Sequence, residues 1–178
     1  MRREVMWSAW DVPGLGHLRL AVHDGITAHG VVIGVTEGRP FRAVYEVRCD
    51  AEWRVRALRV VAPGEPPGVD VFSDGEGNWT TLAGCIDADI SVTPFTNTLS
   101  IRRLDLAPEE SAELCVAYVK GTELQAWPEP QRYICFEKSN RGGLYRFLSL
   151  DGGFTADLPV DAHGLVLDYP GLFRRVLP

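Results

Sequence analysis

Residues 17–35, HLRLAVHDGITAHGVVIGV, decide the class of fold. Two runs rich in branched apolar residues flank Asp24 and Gly25, and these residue types accept the positive φ angles of tight turns. The pattern predicts a β-hairpin. A second hairpin is predicted around Asp151-Gly152-Gly153, which similar runs flank on both sides.

The rest of the chain repeats this pattern of short alternating runs separated by turns that contain Gly or Pro. In residues 43–49, AVYEVRC, one strand face carries Ala43, Tyr45, Val47 and Cys49 and is predicted to be core. We expect about ten antiparallel strands and at most one substantial helix. The short helix candidates are 107–114 and 169–176, and 61–68 is predicted to be a loop. Such a sheet must curve or close to protect its edges.

Composition and charge limit the classes of function. The 178 residues fit one domain, predicted over 1–178, and the net charge of −6 argues against a nucleic-acid partner. The N-terminal apolar run is interrupted by polar residues, and no stretch approaches the ~20 apolar residues of a membrane span, so a cytoplasmic location is expected. The four cysteines lack C-x-x-C spacing, and we predict free thiols.

Residues 85–104, CIDADISVTPFTNTLSIRRL, concentrate polar side chains between apolar ones. We interpret the segment as a second pair of strands that turns near Pro94, with Asp87 and Asp89 on one face. In such a hairpin, Asp87 meets Arg103 in one register and Asp89 meets Arg102 in the other. At least one ion pair is therefore predicted, and the remaining arginine is a candidate for ligand binding.

Two functional interpretations of this segment stay open beside the structural one. Its threonines, asparagine and arginines could line a cavity and bind the polar head of a ligand. Alternatively, Asp87 and Asp89 could be the carboxylate pair of a hydrolase or lyase that acts on a sugar-bearing small molecule. The sequence contains none of the common nucleophile, phosphate-loop or zinc signatures, and its four histidines do not form a ligand pattern. No metal and no cofactor are predicted.

Several segments resemble the signature segments of the "putative glycolipid-binding" family of bacterial proteins. The resemblance covers nearly the whole chain, and its most specific part is TPFTNTLSIRRL (93–104). The other segments are WDVPGLGHLRL (10–20), VYEVRCDAEWRVR (44–56), GCIDADI (84–90), QRY (131–133) and DAHGLVLDYPGLF (161–173). Gly16 and Ser100 depart from the family pattern, which often has glutamate and proline there. If that glutamate pairs with one of the arginines in other family members, its absence here would leave the arginine to interact with Asp87, Asp89 or a ligand.

The resemblance implies a single curved antiparallel sheet, an incomplete barrel around a short helix, similar to the bacterial carriers of lipoproteins. It implies glycolipid binding and no established enzyme activity. A third interpretation is a structural partner protein whose barrel is filled by its own side chains.

We expect the ligand, a glycolipid or other amphiphile, to place its tail near Trp53 and Tyr45 and its head near Arg102, Arg103, Asn97 and Gln131. The candidate ligand-binding residues are Arg102, Arg103, Asn97, Thr96, Thr98, Asp87, Asp89, Gln131, Tyr133, Trp53, Tyr45 and Tyr169.

Overall fold

The computed structural model describes residues 1–64 and 68–177. Within these residues the elements, in chain order, are β1 (Arg2–Ala9), β2 (Gly14–Val22), β3 (Ile26–Thr36), β4 (Arg39–Cys49), β5 (Val55–Val61), β6 (Val69–Phe72), β7 (Asp87–Ile90), α1 (Phe95–Leu104), β8 (Ser111–Lys120), β9 (Gln125–Ser139), β10 (Gly142–Ser149), β11 (Thr155–Asp161), β12 (Asp168–Tyr169) and β13 (Phe173–Leu177).

The strands form two open sheets. One has eight strands in the order β12-β13-β1-β2-β3-β4-β5-β6, and the other has five in the order β11-β10-β9-β8-β7. Neighbouring strands are antiparallel except β7 and β8, which are parallel. The predicted fold class, mainly β with a curved, unclosed antiparallel sheet around a short helix, is confirmed, although a single sheet was expected. The strands are divided between two sheets, and the described residues contain thirteen strands instead of about ten.

The two predicted hairpins are present, as β2–β3 and β10–β11. Both short helices predicted from sequence are wrong. Residues 107–114 form a turn that leads into β8, because hydrogen bonding to β9 outweighs their local helix propensity. In the range 169–176, Tyr169 ends β12, residues 170–172 form a turn in which Gly171 has a φ of +78°, and β13 begins at Phe173. The loop predicted over 61–68 lies partly outside the described residues.

The segment predicted to be a second strand, 95–104, is the helix α1 instead. Pro94 precedes its first turn, and Thr93 Oγ1 accepts a hydrogen bond from the Phe95 N–H at 3.3 Å. At the other end, Asp105 adopts a left-handed conformation and its N–H bonds Ile101 O. The hairpin prediction is wrong because Thr93 and Pro94 at the start of the segment and Asp105 at its end favour a helix. In addition, side chains from both sheets pack against the segment.

α1 is enclosed between the two sheets, and every residue from Phe95 to Ile101 is buried. Phe95 and Leu99 belong to the core of the eight-stranded sheet, whereas Ile101 packs in a second core on the five-stranded sheet. The helix therefore joins two apolar clusters. It also carries four buried polar residues, Thr96, Asn97, Thr98 and Ser100, into this interior.

Within the described residues, no helix is long and apolar enough to span a membrane. All four cysteines are free, and the sulfur atoms of Cys85 and Cys115 are in direct contact.

Tyr45 on β4 covers Gly30 on the neighbouring strand β3. The two residues are paired across the ladder, and a Cβ atom at Gly30 would lie 2.0 Å from Tyr45 Cζ. The ring also stacks on Phe95 of α1, with centroids 6.3 Å apart, and its hydroxyl is 3.2 Å from Thr93 Oγ1. Glycine at position 30 thus lets Tyr45 lie flat and reach the start of the helix.

We predict that Gly30→Ala lowers the free energy of unfolding by about 1 to 3 kcal/mol, because the added methyl group must displace a buried ring. Urea denaturation measures the change. Gly16→Ala on β2 is the matched control, since its Cβ would meet Val32 Cγ2 at an ordinary 3.6 Å. Equal effects of the two substitutions would contradict this account of Tyr45.

Candidate ligand-binding site

An apolar groove of about 330 Å³ opens beside the N-terminal end of α1. It lies between β1, β2, β3 and the segments that flank β7 and β13, and its walls include Trp7, Val32, Phe41, Val92, Leu172 and Phe173. Val12, Leu15 and Ile33, which also line it, are exposed. Apolar surface therefore continues from the interior to the mouth of this groove.

A polar pocket of about 400 Å³ adjoins the groove. Its polar side chains include Asp89, Asn97, Tyr118, Glu129, Ser149 and Tyr169. The two cavities share a wall of five residues, which are Ser91, Thr93, Tyr118, Leu172 and Phe173. An apolar cavity and a polar one therefore lie side by side.

Asp89 forms part of the floor of the polar pocket, where β7 passes the first turn of α1. Its Oδ1 accepts a hydrogen bond from Thr96 Oγ1, and its Oδ2 accepts one from Gln131 Nε2, both at 2.8 Å. Burial raises the pKa of this carboxyl, and the two hydrogen bonds only partly oppose that effect. Among the described residues, no cationic side chain forms an ion pair with Asp89.

Glu129 is the second carboxyl group of the polar pocket. It lies on β9 two residues before Gln131 and four before Tyr133, so these three side chains share one strand face. Ser149 Oγ donates a hydrogen bond to Glu129 Oε1 at 3.3 Å. Burial raises the pKa of Glu129, and the neighbouring Asp89 carboxylate raises it further.

Amide and phenol groups complete the polar lining. Asn97 Nδ2 donates to Tyr133 Oη at 2.8 Å, which ties α1 to β9. Burial raises the pKa of Tyr118 to about 12 and that of Tyr169 further above its ordinary value, and the charge of Asp89 adds to both shifts. Both hydroxyls therefore stay protonated at neutral pH and can donate hydrogen bonds. The described residues contain no cluster of three or more His, Cys, Asp or Glu suited to a metal ion.

Comparisons with known proteins identify the family and the fold of the chain. A family model described as "Putative glycolipid-binding" matches residues 4–175. The chain belongs to this family. The chain is also similar to the crystal structure of a DUF1089 family protein from Pseudomonas aeruginosa, with 33% identity and a TM-score of 0.79. The match covers 95% of this chain and 92% of that one. No curated protein matches the chain significantly.

In this family member, the structure brings six of the twelve candidate residues together around the polar pocket. Asp89, Asn97 and Tyr169 line it. Thr96, Gln131 and Tyr133 lie directly behind them and hydrogen-bond Asp89 or Asn97. Gln131 Oε1 is buried and has no hydrogen-bond partner in the described part of the chain.

Asp87 and Arg103 form a structural ion pair away from both cavities. Asp87 is fully buried, and it accepts hydrogen bonds from Arg103 Nε at 2.6 Å and from Nη2 at 2.8 Å. The predicted pairing of an aspartate with an arginine is therefore confirmed, although a strand and a helix form it and not a hairpin. Arg102 is exposed, and its guanidinium lies over the ring of Trp53 at 5.4 Å from the centroid.

The remaining candidates do not line the groove or the polar pocket. Tyr45 and Trp53, expected to surround the tail, are core residues. Trp53 precedes β5 in a left-handed conformation, with φ of 67°, which turns its ring toward Arg102. Thr98 is buried on α1, and its Oγ1 has no partner among the described residues. Tyr45 and Trp53 pack in the same core as Phe95 and Leu99 of α1, and therefore not in either cavity.

Glu129 and Tyr118 were not among the residues predicted from sequence. The alternation that places Gln131 and Tyr133 on one face of β9 extends to Glu129. The sequence pattern therefore indicates Glu129 as a further candidate. Tyr118 is paired with Asp89 across the parallel β7–β8 ladder, and sequence alone does not indicate that pairing. Gly16, where the family pattern often has glutamate, lines the apolar groove, and Ser100 is buried in α1.

We predict that Arg103→Ala lowers the free energy of unfolding by roughly 3 to 5 kcal/mol, because it leaves the carboxylate of Asp87 buried without its partner. Arg102→Ala should cost about 1 kcal/mol or less, since it removes one exposed cation–π contact. Chemical denaturation of both variants provides the comparison. If the two substitutions cost the same, the assignment of the buried partner to Arg103 is wrong.

A further prediction concerns the pH dependence of stability. Because the folded protein raises the pKa of Glu129, the unfolded chain loses this proton first, and folding becomes less favourable as pH rises from the unfolded pKa through the folded one. Glu129→Gln removes this contribution. Its stability relative to the wild type should therefore increase between about pH 4 and neutral pH.

Denaturation curves at several pH values measure this difference. Glu52→Gln, at an exposed residue that lines neither cavity, controls for the loss of a negative charge. If the free energy of unfolding of Glu129→Gln decreased relative to that of the wild type as pH rose, the environment described for Glu129 would be wrong.

Proposed function

We propose that this protein binds a glycolipid or similar amphiphile, with its hydrocarbon chain in the apolar groove and its head group in the polar pocket. The observation that carries the proposal is the shared wall of five residues, because it places an apolar cavity directly beside a polar one. Binding sites for small molecules are typically about 300 to 1,000 Å³ and mostly apolar, with a few fixed polar groups. Both cavities fall within this range.

The family description supports the same class of ligand. The likeness to the protein from P. aeruginosa extends over nearly the whole chain, so the fold that forms the cavity is shared with a solved relative. The free cysteines agree with a reducing compartment, and we extend the proposal to a cytoplasmic location.

The proposed position of the head group differs from the one expected from sequence. Arg103 is engaged with Asp87, and Arg102 lies over Trp53. The head group would instead contact Asp89, Asn97, Glu129 and the hydroxyl groups around them.

The alternative of a hydrolase or lyase that uses Asp87 and Asp89 finds no support in the structure. Asp87 is fully buried and occupied by Arg103, so it has no access to a substrate in the polar pocket. The two carboxylates therefore do not form a catalytic pair.

Native mass spectrometry of the protein purified from its own host tests the proposal directly. We expect an added mass that is lost on organic extraction, and an extracted molecule with an alkyl chain and a polar head. Absence of any bound amphiphile, together with no binding of added dodecyl maltoside, would overturn the proposal.

A substitution that fills the groove provides a second test. Gly16 shares the inward face of β2 with Leu18 and Leu20, and a side chain there would extend into the groove. We predict that Gly16→Phe weakens binding of dodecyl maltoside at least about tenfold, because the ring occupies the space of the alkyl chain.

Isothermal titration below the critical micelle concentration measures the affinity. Val31→Phe is the matched control, since Val31 is exposed on the outer face of β3 and lines neither cavity. Equal affinity of the two variants for dodecyl maltoside would show that its alkyl chain does not occupy the groove.

A further inference from the structure

We infer that the polar pocket selects an uncharged, polyhydroxylated head group, such as a neutral sugar, and rejects an anionic one. This inference rests on the proposed binding of an amphiphile and specifies the class of its head group.

The charges around the pocket are the first argument. Asp89 and Glu129 both line it, and none of its described lining residues is Lys, Arg or His. The two nearest arginines along α1 are engaged elsewhere, Arg103 with Asp87 and Arg102 with Trp53. Lys120 lines the groove and not the pocket, and it pairs with Glu123. An anionic head group would therefore meet two carboxyl groups and no compensating cation.

Asp89 is also fixed in position. Asp89 is bonded by Thr96 and Gln131, so it cannot turn away from an incoming charge without losing these hydrogen bonds. Two like charges repel more strongly where water is partly excluded, and juxtaposed like charges are a common means of rejecting a wrong ligand.

The hydrogen-bonding groups of the pocket suit hydroxyl groups. Carboxylate oxygens accept hydrogen bonds from hydroxyls, and the protonated phenols of Tyr118 and Tyr169 both donate and accept. Asn97 and Ser149 add an amide and a third hydroxyl. Behind this lining, Gln131 Oε1 is an acceptor that has no partner in the described part of the chain. Donors and acceptors are therefore interspersed, as a molecule with several hydroxyl groups requires.

Aromatic rings also line the pocket. Phe147, Phe154 and Tyr169 form a cluster with centroids 6.1 to 6.3 Å apart, and Phe173 lies 6.2 Å from Tyr169. All four line the pocket, and Phe154 is exposed at its edge. A sugar ring has an apolar face of C–H groups that can pack on such rings while its hydroxyls reach the carboxylates.

Two ligands that differ at one substituent of the sugar ring, neutral in one and anionic in the other, test the inference. Dodecyl β-glucoside and dodecyl β-glucuronide share the chain and the ring, and the second carries a carboxylate at neutral pH. We expect the wild-type protein to bind the glucoside at least about tenfold more tightly than the glucuronide. Isothermal titration below the critical micelle concentration, or the fluorescence of Trp7 and Trp10 in the groove, reports the affinities.

The Glu129→Gln variant shows whether the pocket causes the difference. It removes one of the two carboxyl groups and should improve binding of the glucuronide. The ratio of the affinity for the glucoside to the affinity for the glucuronide should therefore decrease. Glu52→Gln, at an exposed site, should leave the ratio unchanged. The comparison of the ligands on the wild type is decisive even if a variant fails to fold.

Other outcomes separate this inference from the proposed function. Equal or tighter binding of the glucuronide would overturn the inference and leave amphiphile binding intact. Tighter binding of the cationic 2-amino-2-deoxy analogue than of the glucoside would also overturn it, since the pocket would then select an amine. If none of the three ligands binds, both the inference and the proposed function fail.

Discussion

The ion pair between Asp87 and Arg103 is the constraint on which the interior depends. Asp87 is fully buried, and an ionised carboxylate in that position is tolerated only with a well-placed cation. Arg103 supplies it with two hydrogen bonds from the last turn of α1. The pair therefore holds the end of the helix against β7, and this position of the helix determines which of its side chains reach the polar pocket.

A second constraint follows from enclosing a polar helix between two sheets. Buried hydroxyl and amide groups must find hydrogen-bond partners, and α1 finds them on both sides of the pocket. Thr96 bonds Asp89 on β7, while Asn97 bonds Tyr133 on β9. These contacts fix the helix between strands, and they also hold Asp89 and Asn97 where they line the cavity. The polar composition of α1 thus serves the fold and the candidate site through the same hydrogen bonds.

Sequence reasoning succeeded where one face of a strand is buried and the other meets water. The alternation of Ala43, Tyr45, Val47 and Cys49 correctly predicted an inward face of β4. It failed for α1, because residues 95–101 of this helix are all buried, so the helix has no apolar stripe with a period of 3.6 residues. Its threonines and Ile101 are also β-branched, which favours a strand. The groove was beyond prediction, since strands distant in sequence form its walls.

The ion pair was nevertheless predicted correctly from a wrong local structure, and geometry explains why. Thr96 and Arg103 are seven residues apart, so they lie on the same face of α1, about 10 Å from each other along its axis. Asp87 and Asp89 share a face of β7 and are about 7 Å apart. β7 and α1 run in opposite directions, so Asp89 meets Thr96 and Asp87 meets Arg103. The long arginine side chain spans the remaining difference. One aspartate is thereby paired with a cation, and the other receives only neutral donors, which leaves the carboxyl group of Asp89 without a cation beside the polar pocket.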